Sequence, residues 1–190
     1  MTYRLISPPF TLKFREMPKA ELRAYFSWYL EQIPSRLDAL QYLVRESDGR
    51  DRWNADRTPA SLIELGAWFT DAIEVCPANT NSQNHSLDEP FLPKIYTHSE
   101  LTAKTFSIAV DIGMYISQVL ISEIKSLQWT QNLQTKADID YGQPVLGKFR
   151  TAAFNPSRMI ITLAYGLRDG IRDKSDLRRL FDTWAGLAIY

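Results

Sequence analysis

The feature that most constrains the fold is an apolar segment, residues 106–121, whose hydrophobic side chains recur at helical spacing. Two apolar stripes lie side by side on this helix, so most of its circumference is hydrophobic. A helix of this kind is typical of the middle of a domain, with other elements packed around it. We therefore predict a central helix from Thr97 to about Ser126 in a mainly helical protein.

The same segment argues against a membrane-spanning helix. It is interrupted by Asp111 and Gln118 and falls short of the roughly 20 apolar residues that a bilayer span needs. The first ten residues contain no long apolar run of the kind found in secretion signals. A single cysteine, Cys76, excludes an intramolecular disulfide framework. We expect a cytoplasmic protein that does not enter a membrane.

Caps and prolines divide the rest of the chain into further elements. Pro34 is predicted to end the first helix, because proline disfavours helical backbone before it and lacks an amide hydrogen. Asn155 and Pro156 form a cap and a first-turn proline, and Thr58 with Pro59 has the same form. The predicted helices cover about residues 18–34, 35–46, 58–76, 97–126, 155–170 and 175–187, and alternating segments at 127–133 and 144–149 predict a hairpin.

The chain of 190 residues is predicted to be a single domain, residues 1–190. Its fold class is α+β, mainly α, with about six helices arranged around the long central one and one β-hairpin. A long loop is expected at about residues 77–96, which are polar and proline-containing and show no periodicity. Residues 3–15 are expected to form an extended or irregular arm. Thr97 and Glu100 match a capping box and mark the predicted start of the central helix.

Charge is balanced overall but uneven along the chain. Lys plus Arg equals Asp plus Glu, so there is no global basic field, and no nucleic-acid partner is predicted. Acids outnumber bases seven to two in residues 60–111, whereas bases outnumber acids seven to four in residues 150–190. Either the two regions complement each other within the fold, or the acidic region forms a face for a basic partner.

Few residues offer catalytic or metal-binding chemistry. His85 and His98 are the only histidines, and their spacing does not match a zinc site, so we predict no metal. Cys76 is expected on the buried stripe of the third helix as an inert thiol, although a Cys–His nucleophile is conceivable. The sequence contains no nucleophile elbow, Walker loop or dinucleotide fingerprint, and we predict no cofactor.

Asp111 is an acid in the middle of the most apolar helix and therefore needs an explanation. In one interpretation it pairs with a base in the core, and Arg158 and Arg168 are the proposed partners, because a buried charge requires compensation. In the other it lines a ligand pocket together with Tyr115 and Gln118, which follow one and two turns later.

Two aromatic residues lie away from the predicted core. Trp28 falls off the apolar stripe of the first helix, and Trp53 lies in a strongly charged segment predicted to be a solvated loop. Both are candidates for an interaction surface, since aromatic residues are enriched at the centres of protein interfaces. Gly113 is expected to let another helix approach the central one closely.

The central helix and the hairpin carry a set of landmarks: Gly113-Met114-Tyr115, Trp129, Pro144-Val145-Leu146-Gly147-Lys148-Phe149 and Phe154-Asn155-Pro156. In this order they resemble a loose group of uncharacterised bacterial proteins, some of which look like immunity or accessory proteins of toxin systems. The resemblance covers about a third of the chain and implies a fold more than an activity. Gln118 stands where that group is expected to have a glutamate, so the resemblance carries over no catalytic residue.

Two hypotheses follow from the sequence. The first is a non-enzymatic module, possibly immunity-like, that binds another protein. The second is a small-molecule binder or an unusual hydrolase that uses a pocket around Asp111. The surroundings of Asp111 discriminate between them, because a lined cavity favours the second and a sealed ion pair favours the first.

Overall fold

The computed structural model describes residues 3–77 and 99–189. The fold class is α+β and mainly helical, with five helices and two small antiparallel sheets in these ranges. The elements are α1 (Lys19–Arg45), α2 (Ser61–Asp71), β1 (Val75–Pro77), β2 (Ser99–Leu101), α3 (Ala103–Glu123), β3 (Gln128–Gln131), β4 (Pro144–Gly147), α4 (Pro156–Arg168) and α5 (Asp176–Leu187).

The first two predicted helices are one continuous helix, so the prediction that Pro34 ends a helix is wrong. Pro34 lies inside α1 on its exposed side, whereas Ile33 and Leu37 beside it are buried. A proline in a helix interior costs about 3 kcal/mol. The buried stripe of α1 continues on both sides of the proline, and packing against the core outweighs that cost.

The third predicted helix ends earlier than expected, and its last residues form a strand instead. The helix α2 stops at Asp71, and Val75–Pro77 pairs with Ser99–Leu101 in a two-stranded antiparallel sheet. Cys76 therefore lies on an exposed strand, and the prediction of a buried helical thiol is wrong. The pairing joins segments far apart in the sequence, so no local pattern indicated it.

The central helix is present as α3, but it begins later than predicted. Its N-cap is Thr102, whose side-chain oxygen accepts a hydrogen bond from the Thr105 amide at 3.2 Å. Glu100 belongs to β2, so it does not take part in a capping box at the start of this helix. By length and composition α3 would be able to cross a membrane, but 72% of its most apolar window is buried inside the protein. That degree of burial is typical of a core helix.

The hairpin and the helix that follows it agree with the prediction. The strands β3 and β4 pair antiparallel, with Trp129 opposite Leu146. The side chain of Asn155 accepts a hydrogen bond from the Arg158 amide and caps α4. Gly113 lets α4 approach α3 closely, because an added Cβ would lie 3.0 Å from the carbonyl carbon and oxygen of Pro156. The predicted loop at 77–96 falls almost entirely outside the described residues, as do His85 and His98.

Candidate functional site

An acid of α3, Asp111, forms a buried ion pair with Arg36 of α1. Both Asp111 (0% exposed) and Arg36 (7% exposed) lie in the interior. The Nε and one terminal nitrogen of Arg36 donate to the two carboxylate oxygens of Asp111 at 2.7 and 2.6 Å. This bidentate geometry is the strong form of an arginine–carboxylate interaction. Asp111 is therefore held in a sealed ion pair between two helices.

The N-terminal segment closes this ion pair from the solvent side. The hydroxyl of Tyr3 donates to Asp111 at 2.5 Å and accepts from Arg36 at 2.8 Å. The Tyr3 hydroxyl also lies 2.9 Å from the hydroxyl of Ser107. Because Tyr3 gives its single proton to the carboxylate, Ser107 is the donor in this contact. We call Tyr3, Arg36, Ser107 and Asp111 the charged cluster.

The titration of the cluster follows from its burial and its partners. Burial raises the pKa of Asp111, while hydrogen bonds and charge from Arg36 and the hydrogen bond from Tyr3 act in the opposite direction. Burial lowers the pKa of Arg36, but the interaction with Asp111 outweighs it, and the pKa is raised. Burial and the Asp111 charge raise the pKa of Tyr3 as well. Its hydroxyl therefore keeps the proton that it donates.

The predicted partners of Asp111 were wrong, although the predicted kind of interaction, a core ion pair, is present. Arg158 pairs with Asp140 at 2.7 Å, and Arg168 pairs with the adjacent Asp169 at 2.8 Å. The actual partner, Arg36, lies on the buried stripe of α1, three residues after Ile33. A spacing of three residues places Arg36 on the same helix face as Ile33. The predicted helix boundary at Pro34 assigned the two residues to different helices, so Arg36 was not considered as a partner of Asp111.

Tyr115 belongs to a different network from Asp111. Its hydroxyl lies 2.5 Å from the Ser61 hydroxyl and accepts a hydrogen bond from the Arg57 amide at 3.1 Å. Ser61 donates its own proton to the Thr58 carbonyl, so Tyr115 is the donor to Ser61. The side chain of Tyr115 is fully buried, and its bonds hold the segment before α2 against α3.

Gln118, the third residue of the candidate pocket, is partly exposed on α3. The other two candidates have different partners, because Asp111 is paired with Arg36 and Tyr115 is hydrogen-bonded to Ser61. A shared ligand site would need their polar atoms to point at one cavity. Both Asp111 and Tyr115 instead use their polar atoms to hold protein segments together.

The two candidate interface aromatics lie in unlike places. Trp28 is half-buried and packs on Phe10 and Tyr25, at ring-centroid distances of 6.0 and 5.9 Å. Trp53 is 2% exposed, and its indole nitrogen donates to the Ser61 carbonyl at 3.1 Å. The expectation of a solvated Trp53 is therefore wrong, because its ring lies in the core beside the ring of Tyr115, at a centroid distance of 5.6 Å.

In the described ranges, 3–77 and 99–189, no group of three His, Cys, Asp or Glu side chains is arranged to hold a metal ion. Both histidines lie outside these ranges, so the histidine member of the conceivable Cys–His pair falls on residues the structure does not describe, whereas Cys76 lies on the exposed strand β1.

Replacing Tyr115 by phenylalanine is expected to lower the free energy of unfolding by about 1–2 kcal/mol, because the Arg57 amide and the Ser61 hydroxyl lose a buried partner. Urea unfolding measures this change. In a double-mutant cycle, Tyr115→Phe and Ser61→Ala should be non-additive, because they share one hydrogen bond. Additive losses would contradict the assigned contact.

No family model matches this chain, and neither a curated protein nor a solved structure matches it. The resemblance drawn from the landmarks of the central helix and hairpin therefore stays a prediction.

Proposed function

We propose that this protein is a non-enzymatic module that binds a basic protein partner. The observation that carries the proposal is the exposure of acidic and apolar side chains on α2, on β1–β2 and in the segment that joins them. Its members are Ile63, Glu64, Glu74, Val75 and Glu100, which we call the acidic surface set.

The set contains two exposed apolar side chains. Ile63 is 57% exposed and Val75 is 49% exposed, although both are residues that more commonly lie inside a protein. Each is next to an exposed acid in the sequence, Ile63 to Glu64 and Val75 to Glu74, so each could add an apolar contact to a charged interface. These two side chains are therefore the expected apolar contacts with a partner.

The charge of the set favours a basic partner. In the described part of the chain, Glu64 and Glu100 form no ion pair, and both are exposed. Glu74 pairs with Lys104 at 2.6 Å, and the neighbouring Asp71 pairs with Arg50, not with bases of the 150–190 region. Among the described acids of this region, Glu64 and Glu100 thus carry exposed charge without an ion-pair partner, and this charge would attract a positively charged surface.

The surroundings of Asp111 support the same hypothesis over a small-molecule site shared by Asp111, Tyr115 and Gln118. The polar atoms of Asp111 and Tyr115 bind protein groups in two separate networks. An immunity-like role in the cytoplasm is the form of this function that the resemblance suggests, and the exposed acids would then face a basic surface of the toxin.

The test is quantitative capture of a partner from a bacterial lysate by the full chain. We expect a basic protein in stoichiometric amount, with retention at least about tenfold weaker, or about 1.4 kcal/mol, for Glu64→Lys combined with Glu100→Lys. The matched control is Glu31→Lys with Asp38→Lys, which makes the same charge change on the exposed side of α1. Equal loss in both double variants, or no stoichiometric partner, would overturn the proposal.

A further inference from the structure

The contacts of residues 3–6 with α1 and α3 resemble the recognition of a peptide. Besides the Tyr3 hydroxyl, two backbone groups of this segment are bound by side chains of the helices. Arg36 donates to the Arg4 carbonyl at 2.7 Å, and the Ile6 amide donates to the Ser107 hydroxyl at 2.8 Å. Contacts to main-chain groups recognise extended backbone, and the tyrosine contact adds sequence selectivity.

The side chains of the segment divide into bound and exposed ones. Tyr3 and Ile6 are half-buried and pack against the core, whereas Arg4 and Leu5 between them are exposed. The guanidinium carbon of Arg36 lies 5.1 Å from the centroid of the Tyr3 ring, within the range of a cation–π contact. The surface formed by α1 and α3 thus contacts the side chains of the first and the fourth residue of this four-residue segment.

We propose that the groove between α1 and α3 is a binding site for an extended peptide with tyrosine at its first position and an apolar residue at its fourth. In this structure its occupant is the chain's own Tyr3–Ile6 segment, which a peptide of the same pattern can displace. The site is separate from the acidic surface set and does not depend on the function proposed for it.

The segment can leave without breaking the ion pair beneath it. Arg36 and Asp111 bind each other through two hydrogen bonds that do not involve residues 3–6. When the segment leaves, each keeps its charged partner, and the other groups exchange protein contacts for water, at a small net cost per hydrogen bond. The costly event, an unpaired buried charge, does not occur.

A second anchor keeps the arm attached when residues 3–6 leave. Phe14 and Met17 are 5% and 4% exposed, and Phe10 packs on the Tyr25 ring at a centroid distance of 5.5 Å. Ser7-Pro8-Pro9 separates this anchor from the contacts of residues 3–6, and its prolines contribute no amide donors. Displacement of residues 3–6 therefore leaves the rest of the arm attached.

The test measures binding of a fluorescein-labelled peptide with the sequence of residues 1–9 to the full-length chain by anisotropy. The Tyr3→Ala chain is expected to bind it at least about tenfold more tightly than the unmodified chain, in which the tethered segment competes at high effective concentration. A peptide with phenylalanine in place of tyrosine is expected to bind at least about tenfold more weakly, because it lacks the donor to the carboxylate.

A second measurement needs no variant and covers the case in which Tyr3→Ala fails to fold. Unlabelled peptide at millimolar concentration should accelerate hydrogen exchange at the Ile6 amide of the unmodified chain, and the phenylalanine peptide should not. The amides of α3 serve as the internal control and should keep their protection. No binding to a folded Tyr3→Ala chain, equal binding of both peptides, or an unchanged exchange rate at Ile6 would overturn the proposal.

Discussion

Replacing Asp111 by asparagine is expected to lower the free energy of unfolding by about 3–5 kcal/mol, because it leaves a buried guanidinium without its counter-charge. The change keeps the size of the side chain, so the loss reports on charge rather than volume. Both carboxylate oxygens accept from Arg36, and the residue is 0% exposed, so water cannot replace the missing charge. Urea unfolding followed by far-UV circular dichroism measures the difference.

The matched control is Asp71→Asn, which removes one charge from the ion pair with Arg50. The Asp71 side chain is 69% exposed, and a surface pair of this kind contributes about 0–1 kcal/mol. Replacing both members of the buried pair, as Arg36→Met with Asp111→Leu, should be less damaging than Asp111→Asn alone, because no unpaired charge remains. A loss for Asp111→Asn as small as that of the control would contradict the sealed ion pair.

Replacing Gly66 by alanine is expected to lower the free energy of unfolding by about 1–3 kcal/mol, because it overpacks the contact between α2 and α5. An added Cβ would lie 2.5 Å from the backbone oxygen of Lys174 and 3.2 Å from the Cβ of Leu177. The nearest obstacle is backbone, so the helices must separate to admit the methyl group.

Gly186 gives the opposite expectation and serves as the control. It lies in α5, and an added Cβ meets nothing within 4 Å. There Gly186→Ala should raise the free energy of unfolding by about 0.5 kcal/mol, since alanine loses less conformational freedom in a helix. Thermal unfolding of both variants checks the pair. The same sign for both changes would contradict the close packing at Gly66.

Elements marked by strong local signals were predicted correctly. The Asn155 cap, the following proline and the alternation of the hairpin strands gave α4 and β3–β4. The apolar circumference of α3 predicted its place in the core. Each of these signals acts over a few residues, where caps, periodicity and turn chemistry determine the backbone with little help from distant contacts.

The errors occurred where distant contacts override a local rule. Pro34 would end an isolated helix, but the buried stripe of α1 continues past it. Cys76 fits a helical stripe, yet the pairing of β1 with β2 places it on an exposed strand. Trp53 lies among charged residues, but its ring is buried beside Tyr115 at a centroid distance of 5.6 Å.

The sequence by itself determined the mainly helical fold and the central helix, and it marked Asp111 as an acid that either pairs with a base or lines a pocket, because hydrophobic periodicity and the cost of burying a charge are local properties. Only the tertiary structure decided that the partner is Arg36, 75 residues earlier, and that Tyr3 closes the cluster. Several arginines satisfy the same charge requirement equally well in the sequence. The packing of α1 against α3 brings one of them within hydrogen-bonding distance.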